Sequence, residues 1–160
     1  MKLKTLFFTL TLVGIAVVFM AGAIQAGTQV ADVIKMQNPA YSEHTKGIVE
    51  FSHTKHAAEY GAKCGDCHHD DKGQPLTDLK AGDDVKGCIE CHKIPGEVPK
   101  DVKKEWKAKK LKKDETNKLA RAYHAEALHD NCIGCHKKWN KENKSKAAPT
   151  SCTKCHPKTK

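Results

Sequence analysis

The sequence has little from which to build an ordinary hydrophobic core. Aromatic residues make up 6% of its 160 positions, and Phe7, Phe8 and Phe19 all fall near the amino terminus. Past them stand only Phe51, Trp106, Trp139, Tyr41, Tyr60 and Tyr123. Such a polar, lysine-rich chain has the composition of a disordered polypeptide, because it cannot bury enough apolar surface to offset its conformational entropy. If it folds, something other than side chains must supply the buried apolar material. Methionine is equally scarce, with Met36 alone beyond residue 26. No βαβ pattern of strands and helices is visible, which argues against a thioredoxin-like fold.

Long apolar runs are also missing, with one exception. Lys2 and Lys4 precede an uncharged stretch from Leu6 to Ala21, followed by Ala21-Gly22-Ala23 and Ile24-Gln25-Ala26. A basic start, an apolar middle and small residues at the end are the order of a secretory signal peptide. The run is short of the roughly 20 apolar residues that span a bilayer. Residues 1–26 are therefore read as a signal peptide, with no integral membrane span expected after its removal. Residues 27–47 read as an irregular lead-in with a turn at Asn38-Pro39, and residues 48–160 as one functional domain.

The chain carries 28 Lys and Arg against 19 Asp and Glu. Loss of Lys2 and Lys4 leaves 26 basic residues against the same 19 acidic ones, a formal +7. A basic exported protein has little occasion to meet nucleic acid, so acidic proteins are its expected partners.

No cysteine is left over. The eight cysteines fall into four C-x-x-C pairs, Cys64/Cys67, Cys88/Cys91, Cys132/Cys135 and Cys152/Cys155. Each pair is followed at once by a histidine: His68, His92, His136 and His156. Two thiols at this spacing can add to the two vinyl groups of one haem, and the next residue then offers its imidazole to the iron. Structural zinc sites use paired C-x-x-C elements too, but they need no histidine after every second cysteine. Four such motifs predict four covalently bound haem c groups, whose macrocycles would supply the missing core.

The scarcity of methionine bears on the second axial site, since Met36 can serve one iron at most. Histidine is plentiful: His44, His53, His56, His69, His124 and His129 lie outside the motifs. The expectation is bis-histidine ligation throughout, with low potentials, because a second imidazole favours ferric iron more than a thioether does. Iron with both axial positions filled moves electrons and does not activate substrates, so a carrier is expected and no enzyme. The rival readings are a multihaem reductase with one open-site catalytic haem and a zinc-binding interaction module.

The pair His53-x-x-His56, the double histidine ending Cys64-Gly65-Asp66-Cys67-His68-His69 and the three further motifs resemble the tetrahaem class III cytochromes c. The resemblance extends from about Ile48 to His156. It implies a periplasmic carrier whose few α-helices and irregular chain wrap four haems, behind a small N-terminal β-ribbon. It also implies distal ligands, with haems numbered by order of attachment: His53 for the first, His69 for the second, His56 for the third and His129 for the fourth. His124 is the alternative for the fourth; His129 is preferred because Leu128-His129-Asp130 resembles the family's segment ahead of the third motif. His44 and the remaining histidine are then surface or supporting residues. The implied partners are redox proteins such as a hydrogenase, a formate dehydrogenase or a membrane-bound redox complex.

Ile48-Val49-Glu50-Phe51 is strand-like, and His53 to Tyr60 suits a short helical turn. Residues 70–75 and 80–84 read as loops. From Lys100 to Asn131 there is neither proline nor glycine. This predicts one long helix, or two broken near Asn117, ending near His129, with Asp101 at the start and shorter helices entering the third and fourth motifs. Eight lysines between Lys100 and Lys113 surround that helix, either as a solvated face or as a docking face for an acidic partner.

Overall fold

The computed structural model describes residues 30–158, so residues 1–26, expected to be a signal peptide, lie outside the described residues. Two short strands, β1 (Val33–Lys35) and β2 (Glu50–Ser52), pair antiparallel with Ile34 opposite Phe51. The ribbon continues through Met36 N–H donating to Val49 O at 2.8 Å. It is reinforced by Thr54 Oγ1 donating to Asp32 Oδ1 at 2.6 Å. The expected ribbon is therefore present, but half of it comes from the segment expected to be irregular. Its second strand starts two residues later than Ile48.

After β2 the chain makes a wide π-helical turn at Lys55–Glu59, ended by Gly61 at φ +68°. Single-turn helices α1 (Cys64–Cys67) and α2 (Cys88–Cys91) follow. The loops between them carry the predicted turns: Asp70 Oδ1 accepts the amides of Lys72 and Gln74.

The uninterrupted 100–131 segment forms three helices, α3 (Lys100–Ala108), α4 (Lys113–Ala120) and α5 (His124–Glu142). Neither break falls near Asn117, and α5 runs through His129 and the third motif instead of stopping. Asp101 lies in the first turn of α3, behind Pro99 at the cap. The first break is a Schellman ending without glycine. Lys110 adopts φ 52°, its N–H donates to Lys107 O, and Leu111 N–H donates to Trp106 O. A lysine in this conformation costs about 1 kcal/mol or more, so residue type gives no warning of it. Glu115 then reaches back to the Lys112 amide at 2.7 Å to open α4.

The second break has a tertiary cause. Ile94 forms a parallel bridge with Tyr123. The amides of His124 and Ala125, which a helix start leaves without partners, donate to Ile94 O and Gly96 O at 2.7 and 3.1 Å. The α2 helix packs on α5 close by. A last single turn, α6 (Cys152–Cys155), closes the fold.

The side-chain core is as small as the composition implied. Among the described residues only Val98 and His124 are buried. Tyr60 remains 64% exposed, and Ile94, Leu119 and Trp139 are each exposed by more than two-fifths.

Candidate functional site: four cysteine pairs and three histidine pairs

Each motif is a helical turn that leads directly to its histidine. In the first, second and fourth, the histidine amide donates to the carbonyl of the first cysteine, at 2.8, 2.9 and 2.7 Å for His68, His92 and His156. Acidic side chains start the first two turns. Asp66 accepts from the Lys63 amide at 2.8 Å, and Glu90 from the Gly87 amide at 2.6 Å. The third motif needs no separate turn because it lies inside α5.

None of the eight cysteines pairs with another in a disulfide. Those of different motifs lie near one another. The Cys132 thiol is pushed up to about 11, mainly by burial and then by Cys67, Cys155, Cys88 and Cys135. Cys67 is raised likewise by burial, then by Cys135, Asp66 and Cys88. Thioether attachment needs only that both sulfurs of a pair face one macrocycle.

The histidines come together two by two. The rings of His56 and His136 stack with centroids 6.1 Å apart. Those of His69 and His92 are 5.9 Å apart, and those of His129 and His156 are 6.2 Å apart. His53 lies close enough to His68 that its charge adds to burial in lowering the His68 pKa. An imidazole nitrogen binds a metal at about 2 Å, which puts the ring centre about 3 Å from it. Two imidazoles on opposite sides of one iron thus have centroids about 6 Å apart. The other ligands of a haem iron come from the macrocycle, so two protein donors suffice. Among the described residues no three His, Cys, Asp or Glu side chains converge as a metal site would need. The donors present therefore fit haem and not zinc.

The outer nitrogens of these rings are held as well. Each hydrogen bond uses Nδ1, which leaves Nε2 as the nitrogen available to a metal. His56 bonds to Ser52 O at 2.8 Å, His69 to Asp70 O at 2.7 Å and His136 to Pro149 O at 2.6 Å. His156 bonds to Gly47 O at 2.9 Å, and His92 to Arg121 O. The acceptors come from structural details: the end of β2, the break between α4 and α5, and a loop pinned by Asn140. The Asn140 side chain donates to Ala148 O at 2.8 Å and accepts from its amide at 3.1 Å. His129 instead has Glu97 Oε1 at 3.7 Å from its Nδ1.

His124, the alternative to His129, faces another way. It is buried, its Nδ1 is 2.9 Å from the Tyr41 hydroxyl, and Tyr41 stacks on His44 at 5.3 Å. These three side chains fasten the lead-in to the start of α5. Sequence reasoning left out the carbonyl acceptors of these imidazoles altogether, Gly47, Arg121 and Pro149 among them, because backbone acceptors have no residue signature.

A chain with four C-x-x-C-H turns, paired imidazoles and almost no side-chain core is a multihaem c-type cytochrome. Residues 29–156 match the model of the class III cytochrome c family, and the chain belongs to that family. It is 36% identical over 132 residues to a cytochrome c3 of Maridesulfovibrio salexigens, covering 81% of this chain and 96% of the relative. It is 30% identical over 129 residues to a cytochrome c3 of Desulfovibrio desulfuricans, covering 80% and 95%. No solved structure matches it. The chain is an electron-transfer cytochrome, and haem c is the cofactor of its class.

Proposed function

We propose that the protein is a low-potential periplasmic electron carrier with four bis-histidine haems, passing electrons between redox proteins. The eight cysteines would hold the haems. The axial pairs would be His53 with His68, His69 with His92, His56 with His136 and His129 with His156. The observation that carries this reading is the spacing of 5.9–6.2 Å between three of these ring pairs. Haem would supply the one-electron couple; the paired histidines would hold its iron and exclude exogenous ligands. Nδ1 hydrogen bonds to carbonyls make the imidazoles better donors, which favours the ferric state and lowers the potential. Export rests on the composition of residues 1–26.

The lysines of α3 support an acidic redox partner. Lys103 donates to Glu126 at 2.9 Å, and the same carboxylate accepts from the Val98 amide at 3.2 Å. This anchors the basic helix beside the first turns of α5 and places its charge near the His129–His156 pair. Steering by opposite charge raises encounter rates. Among the described residues no helix is long and apolar enough to cross a membrane.

The test is a spectropotentiometric titration of the matured protein, joined to electron paramagnetic resonance of its oxidised form. Four haems per chain, entirely low-spin and reduced only at low potential, are expected. The nearly parallel His56–His136 rings, at 23°, should split the iron d orbitals more than the His69–His92 and His129–His156 pairs, at 71° and 86°. A high-spin ferric signal would favour the open-site reductase instead.

A further inference from the structure

We infer that Gly47 is a positioning residue for His156, setting the potential of the fourth haem through its backbone carbonyl. The inference rests on the reading of His156 as an axial ligand. Two independent features of the structure carry it. The Gly47 carbonyl accepts the His156 Nδ1–H at 2.9 Å, across 109 residues of sequence. A Cβ at position 47 would lie 2.1 Å from Pro157 O and 2.9 Å from both Pro157 C and Cγ. Contacts below 3.0 Å with a backbone oxygen cannot be relieved by turning a side chain. Only glycine lets the lead-in approach this near to the residue that follows the ligand.

The carbonyl is also held from both sides. Tyr41, six residues earlier, bonds to buried His124, and Val49, two residues later, accepts from Met36 within the ribbon. The lead-in is thus a strap fixed at both ends, with Gly47 against the fourth motif between them. A hydrogen bond from Nδ1 to a carbonyl fixes the ring orientation and raises the donor strength of Nε2, which stabilises ferric over ferrous iron. A side chain at position 47 pushes the strap and the fourth motif apart and removes that bond.

The test is Gly47→Ala in the full, haem-loaded protein, read by the individual midpoint potentials. One of the four should move positive by about 59 mV, the one-electron equivalent of a tenfold change in the redox equilibrium, while ligation stays low-spin. Asn117→Ala is the control, because it trims an uncharged, exposed side chain on α4, away from every motif. It should leave all four potentials unchanged. Unmoved potentials in Gly47→Ala, or an equal shift in Asn117→Ala, overturn the inference.

A measurement on the unaltered protein decides the matter even where Gly47→Ala does not accumulate. In the reduced, diamagnetic form the His156 Nδ1 proton should exchange slowly and couple across its hydrogen bond to the Gly47 carbonyl carbon. Exchange at the rate of an open imidazole overturns the inference. Failure of the proposed function is separate, since it would appear in the unaltered protein as missing haems or a high-spin iron.

Discussion

Replacing His129 with alanine separates the two candidates for the fourth distal ligand, when set beside the same change at His124. His129 is part exposed, at 37% of its side chain, and its ring faces His156 at 6.2 Å. Its Nδ1 lies 3.7 Å from Glu97, beyond hydrogen-bond range, and a half-exposed pair of this kind contributes less than about 1 kcal/mol. His129→Ala should therefore cost little through lost contacts, and its effect should fall on ligation. With four haem motifs in the chain, one quarter of the haem should become high-spin and the rest should not change. His124→Ala should do the reverse. It removes a hydrogen bond to Tyr41, worth about 1 kcal/mol, and the burial of an imidazole, worth about 1–2 kcal/mol. A loss of roughly 2–3 kcal/mol lowers the melting temperature of a chain this size by roughly 5–10 °C, with every haem still low-spin. Visible absorption and quantified paramagnetic resonance give the spin state, and thermal unfolding followed by circular dichroism gives stability. A high-spin quarter in His124→Ala, or a wholly low-spin spectrum in His129→Ala, refutes the assignment.

Neutralising Lys100, Lys104 and Lys107 to glutamine should slow bimolecular electron transfer with an acidic redox partner about tenfold at low salt. The effect should fade as ionic strength rises, as stopped-flow rates would show; a rate that ignores both charge and salt removes the docking role. A chain produced without haem should lack a cooperative unfolding transition, because only Val98 and His124 are buried among its described side chains. A sharp calorimetric transition in the haem-free chain would contradict this. The His124 pKa is lowered, first by burial and then by His92. Protonation therefore opposes folding: this contribution is full above about pH 6.5, the ordinary histidine value, and is lost as pH falls through the lowered folded value. Denaturant titrations below about pH 6.5 should show a shallower acid loss in His124→Gln than in the unaltered protein, and identical slopes would refute it.

The chemistry of this protein is local, and local patterns are what a sequence displays. Cys64-Gly65-Asp66-Cys67-His68 is one helical turn, so the two cysteines and the histidine of the motif are brought together within five residues. The supply of histidine against a single Met36 likewise pointed to imidazole on both sides. The distal partners came from resemblance; the structure brings His56 beside His136, His69 beside His92 and His129 beside His156. The helix boundaries between residues 100 and 142 were not legible. One break rests on Lys110 taking a left-handed conformation that its residue type does not announce. The other rests on Ile94 pairing with Tyr123 from 29 residues away.

By itself the sequence determined the four C-x-x-C-H turns, the haem c class they imply and the need for a core made of something other than side chains. These follow from residue type and spacing alone. Tertiary structure decided which imidazoles face each other, which carbonyls hold their outer nitrogens and how near the lead-in approaches the fourth motif. Those depend on backbone atoms that every residue possesses. Gly47 shows the difference: in sequence it is one glycine among 11, and only its approach to Pro157 and His156 gives it a task.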